Sequence, residues 1–325
     1  MIEILSNGAP NLIQDMGRRG LLNAGVSRGG AMDTRALSLA NLLVGNDDGA
    51  AGIEISLFPF RLKFLSDASF ACTGGDCVVR LDDLTLAPWW GRSARAGQML
   101  VVERPQRGAR AYLAVSGGID VPRVLGSSST DLKSKFGGLE GRGLRRGDLL
   151  GIGSGARAVQ GAKGLGLVPR DLPDFWKELS AGVVSVRVLP AAEHEEFTES
   201  ARKAFYQTTY EVTLDSNRMG YRLRGEPLSP AQPLELFSHG IVPGTIQVPP
   251  NGQPIIQLAE ANTCGGYPKM ATVIDADLWR LAQVPPGCRL SFKQVTLDEA
   301  LDARRTQLTE LEETQHSLSL MWSRA

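Results

Sequence analysis

The sequence has few histidines, few aromatic residues and no excess of either charge. Of its 325 residues, 3 are histidine and 6 % are aromatic, and 35 basic side chains balance 35 acidic ones. A balanced charge argues against a nucleic-acid-binding protein, which carries a basic excess on its binding face. No apolar run approaches the ~20 residues that span a bilayer. We therefore expect neither nucleic acid nor a membrane among the partners.

A leader segment and the common catalytic motifs are also missing. The N-terminus has no charged-then-apolar leader, which predicts a cytoplasmic protein without a secretory signal. The absence of HExxH, GxSxG and GxxxxGK(S/T) argues against a metalloprotease, an α/β-hydrolase and a P-loop NTPase. Four cysteines do not make a disulfide scaffold, and Cys72 and Cys77 have no histidine near them, so no metal is expected. His194 and His316 are predicted to be solvated.

Glycine and proline, by contrast, are abundant. The 37 Gly and 18 Pro follow no period, which indicates many tight turns and hence a β-rich fold. Alternating apolar and polar residues predict short strands at 53–57, 60–65, 99–103, 110–115, 183–189, 210–214, 245–248, 255–259 and 289–295. Helices are predicted at 32–44, at 193–206 and from Thr296, which forms a capping box with Glu299.

The middle of the chain has the composition of a linker. Residues 151–166 are rich in Gly and Ala and are followed by VPRDLPD. Such a segment predicts a boundary between two domains. We expect an N-terminal β domain at 1–155, a linker at 156–181, and a C-terminal β domain with a C-terminal helix at 182–325.

Two segments of the N-terminal half join charged groups to glycine turns. Asp15 and Arg18 flank such a turn, and either they pair with each other or Arg18 binds a substrate carboxylate. Asp33 follows Gly29-Gly30 at the start of the first predicted helix, where it either marks an anion site or stabilises the helix dipole. The residues alone leave both pairs of alternatives open.

The C-terminal half has three further candidate features. Lys269 follows Gly265-Gly266 and either holds a carboxylate or phosphate or is a solvated lysine after a turn. The polar loop 215–220 is either a site-bearing loop or a hairpin turn. Gln247 and Gln257 interrupt apolar strands, so their amides either bond loop backbone or face a pocket.

Several segments, in order along nearly the whole chain, resemble one known family. They are 12–18, 29–33, 40–46, 114–119, 216–220, 246–254 and 265–269. The sequence resembles the biotin-dependent carboxyltransferase / allophanate hydrolase subunit 2 family. That family includes the C-type component of ATP-dependent 5-oxoprolinase and KipA, the antagonist of a sporulation-kinase inhibitor.

The resemblance implies a fold, an activity and partners. The fold would be mainly β with few helices, as two cyclophilin-like β-barrel domains. The activity would be hydrolysis of 5-oxoproline to glutamate, with ATP used through a complex with a smaller B-type (KipI-like) subunit and possibly an A-type subunit. Alternatives are a carboxyltransferase or allophanate-hydrolase subunit acting on urea-like amides, and a non-catalytic KipA-like regulator that binds a KipI-like inhibitor. No Met-Lys-Met motif is present, so this chain would carry no biotin.

The resemblance also implies a site for a small amide substrate. Its catalytic residues would be Asp15, Asp33 and Lys269, with one aspartate as a general base or orienting group. Arg18, Arg218 and Lys269 would hold a carboxylate or phosphate. The substrate-binding residues would be Gln14, Arg18, Asn41, Ser216, Arg218, Gln247, Gln257, Gly265, Gly266 and Tyr267.

The sequence departs from the family pattern beside this predicted site. The family usually has Asp and then Gln-Thr-Thr before Gly-Gly-Tyr-Pro, where this chain has Glu260 and then Asn262-Thr263-Cys264. Two polar side chains therefore change length by one methylene, and we expect a displacement of about an ångström, which matters for positioned catalysis. His239 stands where the family commonly has an acidic residue.

Overall fold

The structure is a computed structural model that describes residues 1–6, 8, 10–154, 164–234 and 236–323. The chain forms two compact units. Unit 1 comprises Met1–Arg18, Gly29–Arg170 and Glu310–Ala325, and unit 2 comprises Arg19–Arg28 and Asp171–Thr309. Among the described residues, no helix combines the length and apolar character needed to cross a membrane.

Within its described part, unit 1 contains thirteen strands, one complete helix and, from Glu310, the second half of the C-terminal helix. The strands are β1 (Ile2–Ile4), β2 (Leu12–Gln14), β3 (Gly52–Ile55), β4 (Phe60–Phe64), β5 (Ala68–Gly74), β6 (Val79–Leu81), β7 (Leu84–Leu86), β8 (Trp90–Ala94), β9 (Met99–Val102), β10 (Ala111–Val115), β11 (Ile119–Asp120), β12 (Leu149–Ile152) and β13 (Leu165–Gly166). One sheet has the order β11-β12-β1-β4-β9-β6-β7, and the other β13-β8-β5-β10-β3-β2. The helix is α1 (Thr34–Leu43).

The two sheets of unit 1 share one hydrophobic core. Phe64 on β4 and Phe70 on β5 belong to different sheets, and their ring centroids lie 5.4 Å apart. Strand β4 buries alternate residues, as expected for a strand with one face on the core. Helix α1 begins after Asp33, whose carboxylate accepts a hydrogen bond from the backbone N–H of Ala36 at 2.8 Å.

Unit 2 contains a closed barrel. Its elements are α2 (Leu172–Ser180), β14 (Val183–Pro190), α3 (Glu199–Gln207), β15 (Tyr210–Val212), β16 (Gly220–Arg224), β17 (His239–Gly240), β18 (Thr245–Gln247), β19 (Ile255–Gln257), β20 (Cys264–Gly265), β21 (Lys269–Val273), α4 (Leu278–Gln283), β22 (Arg289–Gln294) and the start of α5 (Leu297–Ser323). The barrel has the order β14-β21-β18-β19-β16-β15-β22 and closes through the parallel pairing of β22 with β14. A separate two-stranded ribbon joins β17 to β20.

Alternating side chains fill the barrel of unit 2. Val184, Val186 and Val188 on β14 are buried, whereas the residues between them are partly exposed. Phe205 of α3 stacks on Phe292 of β22 with ring centroids 4.4 Å apart, which fixes the helix against the barrel wall.

The main sequence predictions about the fold are confirmed. The chain is mainly β with few helices, each predicted strand is present within a few residues of its expected bounds, and α1 is at its predicted place. The capping box is also present, since the N–H of Glu299 donates to the Thr296 hydroxyl at 3.2 Å and the Glu299 carboxylate accepts from the Thr296 N–H at 2.7 Å. A closed barrel occurs in unit 2, and the described strands of unit 1 form two sheets.

Two predictions around residue 194 need correction: the helix predicted at 193–206 is present but begins at Glu199, and His194 is not solvated. The predicted helix at 193–206 is a 3₁₀ turn at His194–Glu196 followed by α3. The Thr198 hydroxyl, which accepts from the N–H of Ala201 at 3.1 Å, provides the helix cap. His194 is buried rather than solvated. Its Nε2 lies 3.1 Å from the hydroxyl of Tyr206 on α3, which replaces a contact with water. His316 is exposed, as predicted.

The predicted linker has a described part that is structured. Residues 156–163 lie outside the described residues, and the rest of the segment contains β13 and α2. Asp174 lies in the first turn of α2, where an acidic side chain favours the helix. The predicted domain boundaries at 155 and 182 stay a prediction.

Candidate functional site

Unit 2 brings together five polar side chains that we call the Lys269 cluster: Glu193, His239, Gln247, Gln257 and Lys269. Gln247 on β18 lies opposite Lys269 on β21, after a register shift between Ile246 and Gln247. The ribbon places His239 of β17 opposite Gly265 of β20. Strand pairing therefore gathers residues that are up to 76 positions apart in sequence.

Lys269 is buried and its ammonium group contacts an imidazole. Its Nζ lies 2.5 Å from Nε2 of His239, and 3.5 Å from the carbonyl oxygens of Gly265 and Tyr267. The residue is 6 % exposed, so it is not a solvated lysine after a turn, which was one of the two sequence alternatives. Burial lowers the pKa of Lys269 from its ordinary value, and the negative charge of Glu193 opposes this shift. Lys269 is thus closer to its neutral form than a surface lysine.

The contacts of His239 define which of its ring nitrogens carries hydrogen. Nδ1 lies 3.1 Å from the carbonyl oxygen of Phe237. A carbonyl oxygen only accepts hydrogen bonds, so Nδ1 is the N–H and Nε2 presents its lone pair to Lys269. The Glu193 carboxylate accepts from the backbone N–H of Lys269 at 3.1 Å, and its other oxygen lies 3.6 Å from Nε2 of His239.

The two glutamines of the cluster are connected to each other and to the glycine loop. Gln257 donates to the amide oxygen of Gln247 at 2.9 Å, and Gln247 donates to the Tyr267 carbonyl oxygen at 3.5 Å. Gln247 therefore bonds loop backbone, as one of the two sequence alternatives proposed. Gly265 permits this approach, because a Cβ there would lie 2.6 Å from Nε2 of Gln247. Tyr267 itself is 47 % exposed.

Arg218 lies in the same unit but in a buried ion pair. Its Nε donates to the Glu260 carboxylate at 2.7 Å, with both side chains less than one-tenth exposed. Glu260 is one of the positions at which the sequence departs from the family pattern. The carboxylate of this side chain, which is one methylene longer than the aspartate of the family, contacts Arg218. The predicted role of Arg218 in holding substrate stays a prediction, and the contact seen is structural.

Unit 1 contains a second cluster, the Arg18 cluster, formed by Asp15, Arg18, Ser127, Ser129 and Phe136. The Asp15 carboxylate accepts hydrogen bonds from both serine hydroxyls, and also from the backbone N–H groups of residues 17 and 128 at 2.8 and 2.7 Å. Three of the four donors bond one carboxylate oxygen and the fourth bonds the other, which holds the Asp15 side chain in one orientation. The Asp15 carboxylate therefore fixes the position of the serine segment 127–129, and its role in catalysis stays a prediction.

Arg18 does not form a hydrogen bond with Asp15 in this cluster. Its guanidinium donates to the carbonyl oxygens of Ser129 at 2.7 Å and Val124 at 3.2 Å, and lies 4.4 Å from the centre of the Phe136 ring. Arg18 is 2 % exposed, and its Nη1 has no hydrogen-bond partner among the described residues. Burial lowers the pKa of Arg18, against the charges of Asp131 and Asp15. A buried N–H without a partner is uncommon in a folded protein, so Nη1 of Arg18 is the polar atom of this cluster that its structural contacts leave unexplained.

Four further predicted residues are not members of either cluster and make structural contacts: Gln14, Asp33, Asn41 and Ser216. Gln14 donates to the Thr130 carbonyl oxygen at 3.2 Å beside the Arg18 cluster. Asp33 caps α1, and Asn41 near the other end of that helix donates to the carbonyl oxygen of Ala50 at 2.7 Å. Ser216 accepts from the N–H of Arg222 at 3.1 Å, so the loop 215–220 is a hairpin turn between β15 and β16.

Sequence reasoning missed five members of the two clusters, among them Phe136, which no sequence feature marks as part of a site. The sequence pattern predicts Glu193 in a helix, and it marks His239 only as a departure from the family pattern. Ser127 and Ser129 belong to a run of three serines and a threonine, an unusual sequence for a fully buried segment, but nothing in it identifies Asp15 as the partner.

The sequence comparisons assign the chain to a family. The chain belongs to the family described as "Carboxyltransferase domain, subdomain A and B", whose profile matches residues 24–294. It is 46 % identical to the C-type component of the 5-oxoprolinase of Escherichia coli, over 94 % of this chain and 95 % of that one. It is 41 % identical to the corresponding C-type component of Haemophilus influenzae, over 94 % of each chain.

Larger proteins contain a similar region. The urea amidolyase of Saccharomyces cerevisiae is 30 % identical over 94 % of this chain, which spans 17 % of that protein. The crystal structure of the Kluyveromyces lactis urea amidolyase superposes with a TM-score of 0.88 at 28 % identity, over 96 % of this chain and 20 % of that one. The fold therefore also occurs as one part of much longer enzymes.

Proposed function

We propose that this chain is the C-type component of an ATP-dependent 5-oxoprolinase, which converts 5-oxoproline to glutamate together with a smaller B-type subunit and an A-type subunit. The observation that carries the proposal is the 46 % identity to a protein of that name over nearly the full length of both chains. ATP is used through the assembled complex, since this chain has no P-loop sequence.

Lys269 is the proton donor in this proposal. Opening the lactam adds water to the carbonyl carbon, breaks the C–N bond and leaves an amine nitrogen that needs a proton. A buried ammonium beside carbonyl oxygens and two amide side chains can deliver that proton and hold the substrate amide. Gln247, Gln257 and the loop Gly265, Gly266 and Tyr267 are the proposed substrate-binding groups. No metal is proposed.

Arg18 is proposed to bind an anion, a carboxylate or a phosphate, through its unpartnered Nη1. The Asp15 carboxylate holds the serine segment in place, and the backbone carbonyl of Ser129 in that segment accepts a hydrogen bond from Arg18. The proposed role of Asp15 is therefore to orient the guanidinium group of Arg18. Asp33 is proposed to orient the start of α1 in the same way.

Carboxyl transfer to a urea-like amide is the second candidate. It is favoured by the 0.88 TM-score to a urea amidolyase whose chain contains a similar region. Both candidates require activation of an amide or ureido carbonyl, so the Lys269 cluster serves either. The substrate offered in the assay separates them.

The test is reconstitution with the neighbouring subunits. The chain, co-expressed with B-type and A-type subunits, is assayed for ATP-dependent release of glutamate from 5-oxoproline, and for ATP-dependent consumption of urea and allophanate. We expect glutamate release, its loss in Lys269→Ala, and normal activity in Lys293→Ala, an exposed lysine on β22. Turnover of urea alone would favour the second candidate. Tight binding to the B-type subunit without any turnover would favour a regulator, and full activity of Lys269→Ala would refute the site.

A further inference from the structure

We propose that His239 and Lys269 share one proton between Nε2 and Nζ, and that the imidazole exchanges this proton between the buried amine and solvent. His239 is then a positioning residue that sets the protonation state of Lys269. The inference rests on the proposed function for its catalytic consequence, but the proton-sharing pair is a property of the chain alone.

The geometry of the contact carries the proposal. The two nitrogens lie 2.5 Å apart, and the hydrogen on Nδ1 is engaged by the Phe237 carbonyl oxygen at 3.1 Å. Nε2 is therefore the lone-pair nitrogen that faces the ammonium. This tautomer is the one that can accept a proton from Lys269 and return it.

The exposure of the two groups gives the exchange a direction. The His239 side chain is 44 % exposed, whereas Lys269 is 6 % exposed. A buried lysine that has given up its proton has little access to water, and His239 provides that access. Burial also lowers the pKa of Lys269, which brings its proton affinity closer to that of an imidazole.

Glu193 stabilises the pair in either protonation state. One carboxylate oxygen lies 3.6 Å from Nε2 of His239, and the other accepts from the backbone N–H of Lys269. Strand β20 pairs with β17 through Gly265, opposite His239, and Cys264, opposite Gly240. The carbonyl oxygen of Gly265 is a further hydrogen-bond acceptor for the ammonium group of Lys269. The negative charge of Glu193 therefore offsets a positive charge on Lys269 or on the imidazole.

The sequence of proton movements balances. Lys269 gives a proton from Nζ to the nitrogen released from the lactam and becomes a neutral amine. A proton from solvent then binds Nε2 of His239 and moves to Nζ, which restores the ammonium and the neutral imidazole. No oxidant, reductant or further reactant is needed.

The tautomer of His239 tests the pair without any substrate. The chain has only three histidines, so nitrogen-15 NMR of the imidazoles resolves them, with His316→Gln and His239→Gln as assignment controls. We expect His239 to be the Nδ1–H tautomer at neutral pH, and Lys269→Met to shift hydrogen or a full charge to Nε2. An Nε2–H tautomer in the wild-type chain, or no change in a folded Lys269→Met variant, overturns the proposal. If that variant does not fold, the wild-type tautomer decides: an Nδ1–H imidazole at His239 supports the pair, and an Nε2–H imidazole overturns it.

Chemical rescue tests the catalytic consequence in the reconstituted complex. We expect His239→Ala to lower kcat about 10-fold or more with little change in KM, and imidazole in the buffer to restore part of the rate. A folded His239→Ala variant with normal kcat, or without rescue, would show that His239 does not relay the proton. If His239 is the Nδ1–H tautomer but the complex never turns over 5-oxoproline, the proposed function is wrong and the proton-sharing pair is still supported.

Discussion

Arg218 and Glu260 are joined twice, once through their side chains and once through their backbones. Nε of Arg218 donates to the Glu260 carboxylate at 2.7 Å, and the backbone N–H of Glu260 donates to the carbonyl oxygen of Arg218 at 3.0 Å. The pair connects the segment before β16 to the segment before the glycine loop. Because both side chains are buried, each charge depends on the other for compensation.

Removing one partner of this pair should destabilise unit 2. Glu260→Ala leaves a buried guanidinium without its carboxylate, and we expect a loss of about 3 kcal/mol in the free energy of unfolding. The measurement is urea unfolding followed by circular dichroism. The control is Glu211→Ala, which removes the partner of the exposed Arg224 and should cost less than about 1 kcal/mol. Equal losses in the two variants would contradict a buried, mutually dependent pair.

Asp15 should be as important for stability as for the position of Arg18. In Asp15→Asn, an amide NH₂ replaces an oxygen that accepts hydrogen bonds, so at least one donor loses its acceptor. We expect a loss of about 2 kcal/mol in the free energy of unfolding. Asp67→Asn is the matched control, because the exposed Asp67 accepts one hydrogen bond among the described residues, from the N–H of Ala96 at 2.8 Å. If Asp15→Asn were as stable as Asp67→Asn, the four donors to Asp15 would form hydrogen bonds with water instead.

The elements of the fold were predictable where a local pattern carries them. The β4 strand alternates Phe60, Leu62 and Phe64 toward the core, and α1 has an aspartate cap and a glycine after its end. Such features depend on residues within one or two turns of the chain. The glycine loop before Lys269 was likewise identified from a contiguous motif.

The clusters themselves were not predictable, because distant register decides them. His239 contacts Lys269 only because β17 pairs with β20, and two residues 30 positions apart give no local signal of that pairing. Ser127 bonds Asp15 across 112 positions. The sequence leaves open whether Arg18 pairs with Asp15 or binds a substrate carboxylate for the same reason, because both alternatives have the same local sequence pattern.

Asp148 should make stability depend on pH in the acid range. Burial alone would raise its pKa, but two hydrogen bonds from Arg142, at 2.8 and 2.9 Å, and one from the N–H of Arg145 lower it below the ordinary 3.8. A pKa that is lower in the folded state stabilises the fold above the unfolded value, and this contribution is lost as pH falls through the folded value.

The variant Asp148→Asn tests this dependence. At pH 7 it should be less stable than wild type by about 1 kcal/mol, and the difference should shrink once the pH is below the folded pKa. Urea unfolding at pH 7 and at successively lower pH, as far as both proteins remain folded, measures this difference. Asp302→Asn, at an exposed pair with Arg305, should differ little from wild type at either pH. A pH-independent difference for Asp148→Asn would mean that its charge is not what stabilises the turn.

Gly265 should be required for the position of Gln247. In Gly265→Ala the new Cβ would lie 2.6 Å from Nε2 of Gln247, so the amide must move and give up its contacts with Gln257 and the loop. Gly240→Ala is a sharp control, since a Cβ at this position of the same ribbon meets nothing within 4 Å. A displacement of about an ångström in a positioned group lowers activity by about 100-fold, and we expect a loss of that order for Gly265→Ala in the reconstituted complex. Unfolding curves should show both variants folded, with a cost of about 1 kcal/mol for Gly265→Ala. If both variants kept full activity, the amide of Gln247 would have no part in binding substrate, and the Lys269 cluster would reduce to the lysine, the histidine and Glu193.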